Sequence, residues 1–177
     1  MIGSYLITQT GITLFWLGLF GMLLGWGYSA PPLNLNSRGL GELSVLAGFG
    51  LLPLGTYLVQ TGMLSGTLLL VSLPVGLLTA NLLYINQFPD RRADIQAHKL
   101  HWVARLSPQV ARWGYALIAS LAWLTLLALI VSGVLPVLAS ISALPAMLSI
   151  KAAQILLQHA DTPQKLHRPF RWPCWPW

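Results

Sequence analysis

The stretch TLLLVSLPVGLLTANLLYINQFPDRRAD, residues 67–94, runs from a long apolar segment straight into Asp90, Arg91, Arg92 and Asp94. A membrane-crossing helix needs about 20 consecutive, mostly apolar residues, and residues 67–88 supply that length. An unpartnered amide inside such a helix is costly, so Asn81 and Asn86 are expected to face a bundle interior. The charges then begin where the helix meets water.

Outward from this segment the same pattern repeats. Residues 1–37, 43–89 and 113–150 hold no charge, which is room for one, two and two spans. The 177 residues are 55% hydrophobic and 8% charged, with a mean hydropathy of +0.67. A soluble domain carries about 25% charged residues, so a water-exposed globular fold is excluded. The expectation is an all-α membrane protein with about five transmembrane helices. They are placed within Leu6–Gly27, Leu43–Val59, Thr67–Phe88, Trp113–Ser132 and Pro136–Leu157. Breaks are expected at Ala30 to Pro32, at Thr61-Gly62 with Ser65-Gly66, at Phe88-Pro89, and from Gly133 to Pro136. Trp26 and Trp113 fall at span ends, as interfacial aromatics do, while Trp16 and Trp123 fall mid-span, where packing is expected.

Alternating the loops puts Arg38, Arg91, Arg92, Lys99, Arg105, Arg112, Lys165, Arg168 and Arg171 on one side, and Lys151 can snorkel to it. The opposite turns, around 61–66 and 133–135, hold no Lys or Arg. Basic loops stay cytoplasmic, so the N-terminus is expected outside. The net charge of +6 therefore reads as membrane orientation, and no nucleic acid is expected as a partner. No basic residue precedes the first apolar run, which is also too long for a signal peptide, so it is read as a span. The lone Cys174 excludes an internal disulfide framework. Residues 1–157 are expected to form a transmembrane bundle, and 158–177 a cytoplasmic Pro/Trp-rich tail without regular structure.

Pro89 suits the first position of a helix, and from there Asp90 and Asp94 stand one turn apart on one face. Like charges at that spacing call for compensation. Mg²⁺ takes one or two carboxylates and leaves positions for substrate phosphates, and Arg91, Arg92, Lys99 and Arg105 supply positive field for a polyphosphate. A solvated loop whose Asp and Arg side chains pair locally fits the same residues. The 28–42 loop reaches the same side, so two loops are expected to converge over one cavity mouth. His98 and His101 lack further obvious ligands and read as exposed loop residues rather than a transition-metal site.

Three segments in order resemble the UbiA superfamily of intramembrane aromatic prenyltransferases: YSAPPL at 28–33, RGLGE at 38–42, and NQFPDRRAD at 86–94 with Lys99 behind it. LGTYLVQTG at 54–62 is similar to the branch of 1,4-dihydroxy-2-naphthoate polyprenyltransferases. The resemblance implies a bundle of about nine helices in which two Asp-rich motifs face each other across a cavity. It implies Mg²⁺ holding an allylic polyprenyl diphosphate, and an aromatic acceptor such as a dihydroxynaphthoate, as in menaquinone-type quinone biosynthesis. The setting it implies is the bilayer of a bacterial or archaeal cell membrane, with the site facing the cytoplasm. Asp90 and Asp94 match the second Asp-rich motif as metal ligands and catalytic residues. Asn86 matches its leading polar residue and Lys99 the basic residue that follows, and Tyr28, Arg38 and Arg91 fall on the substrate side.

Departures from the pattern are Asn34 after Pro-Pro-Leu, where relatives often carry a basic residue, and His98 and His101 in place of a Gly and a Thr. No acidic residue precedes Glu42, so the first motif and the helices carrying it are expected to be missing from this sequence. The chain is expected to be a partial bundle, the C-terminal portion of such an enzyme, inactive alone. A non-catalytic membrane subunit is the alternative. A small transporter fits less well, because its ion ligands would sit at the bilayer midplane.

Overall fold

In lipid every backbone N–H and C=O must be satisfied within the chain, so the apolar stretches have helix as their outlet. The computed structural model describes residues 2–159. Its helices are α1 (Ile2–Thr10), α2 (Ile12–Ser29), α3 (Gly41–Thr61), α4 (Gly66–Gln96), α5 (Trp102–Arg105), α6 (Pro108–Val131) and α7 (Ala146–His159), with 3₁₀ turns at Leu35–Arg38 and Val137–Ala143. No strand occurs among the described residues. Among the described residues five segments are long and apolar enough to cross a membrane: Ile12–Ser29, Gly41–Thr61, Gly66–Gln96, Pro108–Val131 and Val137–Gln158. The count matches the expectation, and this is an all-α membrane protein.

Three boundaries differ from it. The first span starts later, because Gly11, at φ 99°, takes the chain out of helix and leaves α1 as a separate short element. The last span is not one helix: a 3₁₀ segment ends at Ala143, and α7 begins after Pro145, whose ring suits a helix start and not a helix interior. The third difference matters most for the site. Phe88-Pro89 does not end a helix, and Pro89 is not a first position, because α4 runs through it to Gln96. Pro89 forfeits one backbone bond, but Phe88 is buried in the core and Arg91 is tied to α5, so tertiary contacts hold the helix on both sides of it. At 1.5 Å per residue α4 is about 46 Å long against a hydrocarbon thickness of about 30 Å. Its last turns stand beyond the bilayer, and they carry the charges.

α4 is the central helix. It packs on α3 on one side and α6 on the other, with α2 outside α3 and α7 outside α6. The α6 face buries Ala111, Tyr115, Ala119, Ala122, Leu126 and Leu129, a stripe at three- and four-residue steps whose alanines let the backbones approach. Hydroxyls in the apolar helices bond back to their own turn, as Ser72 does to the Leu68 carbonyl (2.7 Å) and Thr79 to Val75 (2.9 Å).

The main core cluster joins Tyr84 and Phe88 of α4, Val103 of α5, Ala111, Tyr115 and Ala119 of α6, and Leu156 of α7. The Tyr84 hydroxyl donates to the Ala111 carbonyl at 2.9 Å, and the Tyr84 and Phe88 rings meet edge to face. Arg112 donates to the Leu157 carbonyl at 2.6 Å, which sets the end of α7 beside the start of α6. This cluster lies directly under the charged end of α4.

Asn81 is buried, but Asn86 is exposed, contrary to the expectation that both face inward. Five residues advance about 500° around a helix, so the two amides point about 140° apart and cannot share an interior. Trp16 is also exposed rather than packed, while Trp123 is partly buried against the core. The expected tail lies outside the described residues, except that 158 and 159 complete α7.

Candidate functional site

Asn86, Asp90 and Asp94 follow each other at four-residue steps, so they form one stripe along the protruding end of α4. Asn86 and Asp90 are exposed. Neither makes a side-chain hydrogen bond or ion pair among the described residues. Asp94 is different, because the chain folds back over it.

The fold-back begins at the helix end. The Lys99 N–H donates to the Asp94 carbonyl at 2.8 Å and the His98 N–H to the Ile95 carbonyl at 3.1 Å, while His98 sits in the left-handed region at φ 57°. This is the Schellman pattern, with His98 at the position that favours glycine. The reversal brings the Lys99 Nζ to 3.3 Å from Asp94 Oδ1. It also brings His101 Nε2 to 3.1 Å from Asp94 Oδ2.

His101 is 1% exposed, which corrects its reading as an exposed loop residue. It caps α5, its Nδ1 accepting from the Ala104 N–H at 3.2 Å. Since Nδ1 is an acceptor, the ring proton sits on Nε2 and is donated to Asp94. Nothing in the linear spacing of Asp94 and His101 announces this contact. Only the left-handed turn at His98 creates it.

Arg91 points the other way. Its Nε donates to the Val103 carbonyl at 2.9 Å, and its Nη2 to Leu106 at 3.1 Å and Ala104 at 3.5 Å. The guanidinium thus closes the carbonyl end of α5 and docks it on α4, leaving Nη1 outside these bonds. Arg38 donates to the Pro32 carbonyl at 2.7 Å, which shapes its own loop.

The two loops do meet. The Leu100 N–H donates to the Ser37 carbonyl at 3.1 Å, and Arg105 to the Arg38 carbonyl at 3.1 Å, with the Trp102 indole lying across Gly39. Tyr28 is in the last turn of α2, not in the loop, and lines a groove of about 450 Å³ between α2 and α3 together with Ser44, Gly48 and Leu52. A larger groove of about 800 Å³ continues from it between α1, α2 and α3, lined by Leu14, Leu17, Leu51 and Gly55. Its walls are almost wholly apolar.

A buried polar pair escaped the reading of the residues. Gln87 Nε2 donates to Glu42 Oε1 at 2.9 Å, with both side chains buried, and this ties the start of α3 to α4 one turn before Asp90. Glu42 Oε2 and Gln87 Oε1 have no partner among the described residues. Glutamate at the start of a helix is an ordinary signal, since it faces the positive end of the dipole. Its burial was not legible.

The stripe fits Mg²⁺ in donor chemistry. Two carboxylates one turn apart supply hard oxygen ligands, and Asp90 has no competing partner among the described residues. Among the described residues no group of three or more His, Cys, Asp or Glu side chains gathers at one point. The remaining positions would therefore belong to water and substrate phosphates, as is usual for this ion.

A family model described as the UbiA prenyltransferase family matches residues 1–174. The chain is 32% identical over 117 residues to the 1,4-dihydroxy-2-naphthoate octaprenyltransferase of Haemophilus influenzae, covering 66% of this chain and 38% of that one. It is 30% identical over 101 residues to UbiA prenyltransferase domain-containing protein 1 of Dictyostelium discoideum, covering 56% and 31%. It is 36% identical over 90 residues to the 2-carboxy-1,4-naphthoquinone phytyltransferase of a Synechocystis species, covering 50% and 29%. The matched segments thus span well under half of each relative. No solved structure matches the chain significantly.

Proposed function

The chain belongs to the UbiA prenyltransferase family, and on that premise we propose that it serves transfer of a polyprenyl group from an allylic diphosphate to an aromatic acceptor of the dihydroxynaphthoate class, in menaquinone-type quinone biosynthesis. The observation that carries this reading is the Asn86, Asp90 and Asp94 stripe on a helix end that protrudes from the bilayer, with Lys99 folded back against it. Such a stripe at the water boundary suits the charged head of this substrate, and the apolar grooves between α1, α2 and α3 suit its apolar tail.

In this reading Asp90 and Asp94 hold Mg²⁺, and Asn86 offers an amide to the same ligand set. Bound Mg²⁺ supplies charge stabilisation to the departing diphosphate. Lys99 adds a mobile positive charge that follows the leaving group as negative charge develops on its oxygen. The allylic carbon–oxygen bond breaks, and the electron pair leaves with the diphosphate. An electron-rich ring carbon of the acceptor then takes the allylic carbon, and its proton departs. Arg38, Arg105 and the Ser37–Leu100 contact keep the two loops joined beside the stripe, and Tyr28 lines the groove in which the polyprenyl tail would lie. The basic residues gathered on this side support a cytoplasmic orientation of the site, and in this reading the membrane is that of a bacterial or archaeal cell.

The test uses a chimera in which a full-length relative supplies the N-terminal helices, assayed in membranes with polyprenyl diphosphate, Mg²⁺ and a dihydroxynaphthoate. Asp90→Ala and Asp94→Ala are each expected to abolish product while leaving insertion intact. Full activity in both variants would refute the assignment.

A further inference from the structure

Both oxygens of Asp94 are engaged, and by unlike partners. Oδ2 is bonded to His101 Nε2 at 3.1 Å, and Oδ1 faces Lys99 Nζ at 3.3 Å. His101 is held from behind, its Nδ1 accepting from the Ala104 N–H, and α5 is in turn fixed by Val103 in the core and by Arg91. Lys99 hangs on a flexible four-carbon stem and its side chain is 47% exposed. One contact belongs to a rigid chain of bonds and the other does not.

We propose that His101 is a positioning residue that keeps Oδ2 of Asp94, and that Lys99 is the exchangeable partner that releases Oδ1 to a divalent cation and moves onto the diphosphate. The inference rests on the metal-diphosphate reading above. It follows from which bond breaks more cheaply. Losing the His101 bond strands a buried ring N–H, whereas the Lys99 ammonium reaches water or phosphate by rotating its stem. Before metal arrives Lys99 neutralises Asp94, and when Mg²⁺-diphosphate arrives the same charge is transferred to the diphosphate. Buried hydrogen-bond partners that orient metal ligands commonly change affinity by about 10- to 100-fold when removed.

The experiment measures Mn²⁺ binding to the purified chain by electron paramagnetic resonance, with and without inorganic pyrophosphate, and helix content and thermal unfolding are recorded alongside. His101→Asn keeps an acceptor for the Ala104 N–H but is too short to reach Asp94, and it is expected to weaken Mn²⁺ binding about 10-fold or more. His101→Gln reaches Asp94 with an amide N–H and is expected to recover most of that loss. Lys99→Met is expected to tighten Mn²⁺ binding without pyrophosphate and to remove most of the gain pyrophosphate brings. Wild-type affinity in His101→Asn, no recovery in His101→Gln, or weaker Mn²⁺ binding by Lys99→Met without pyrophosphate each overturns the proposal. Asp94→Asn separates the two levels: if it leaves Mn²⁺ binding unchanged, the metal-site reading itself fails, and if it weakens binding while His101→Asn does not, only the positioning role fails.

Discussion

Arg91 is the residue whose removal best separates charge from position. As a cation beside Asp90 it looks like a diphosphate ligand, yet its guanidinium is engaged with the carbonyls that end α5. The bonds at 2.9 and 3.1 Å are well formed, and the one at 3.5 Å lies at the limit. A hydrogen bond from a charged donor contributes about 1.5–3 kcal/mol. Arg91 is half-exposed, so water replaces part of the loss and the lower end applies, giving about 3 kcal/mol for the two good bonds. At about 1.4 kcal/mol per tenfold, α5 should open about 100-fold more often in Arg91→Ala. Arg91→Lys keeps the charge but reaches one carbonyl at best, so about half of the effect remains. The assay is hydrogen–deuterium exchange of the 99–107 segment in nanodiscs, where the Arg105 and Leu106 amides are bonded to His101 and Trp102. Since His101 caps α5, Mn²⁺ binding should weaken in parallel. Unchanged exchange in Arg91→Ala would refute the reasoning, and wild-type exchange in Arg91→Lys would show that charge alone suffices.

Two further outcomes follow from the fold. On a Cys174→Ser background, cysteines in the 61–66 turn are expected to react with an impermeant thiol reagent from outside, and cysteines at 95–100 only after permeabilisation; the reverse pattern would sink the orientation. A Cβ at Gly76 would lie 2.5 Å from the Leu46 carbonyl oxygen, while one at Gly48 meets nothing within 4 Å. Gly76→Ala must therefore push α3 and α4 apart, at a cost of about 1–3 kcal/mol. Thermal unfolding in micelles should show a loss for Gly76→Ala and none for Gly48→Ala, and equal stability would count against the packing.

Span number was legible because a bilayer imposes a length and a charge rule on any chain that crosses it, and residues 43–89 and 113–150 obey both without reference to a partner. The acidic motif was legible because a four-residue step has one meaning on a helix. Two of the misplaced boundaries share a cause: Pro89 and Pro145 look alike in sequence, but Pro89 lies between Phe88, anchored in the core, and Arg91, bonded to α5, so the helix continues through one proline and begins after the other. Asn81 and Asn86 looked equivalent, and only their 140° separation around α4 sent one inside and one out.

Composition and periodicity act along the chain, so they determine that the protein is a helical membrane bundle with a carboxylate pair at a water boundary. Contacts made across the chain are another matter. A left-handed turn at His98 carries Lys99 and His101 back onto Asp94, and the core position of Val103 holds α5 where Arg91 can close it. Asp90 and Asp94 differ little as residues in a motif. Tertiary structure makes them unequal, leaving one carboxylate without a partner among the described residues and holding the other by both oxygens, because hydrogen-bond partners are chosen by distance in space rather than by separation in sequence.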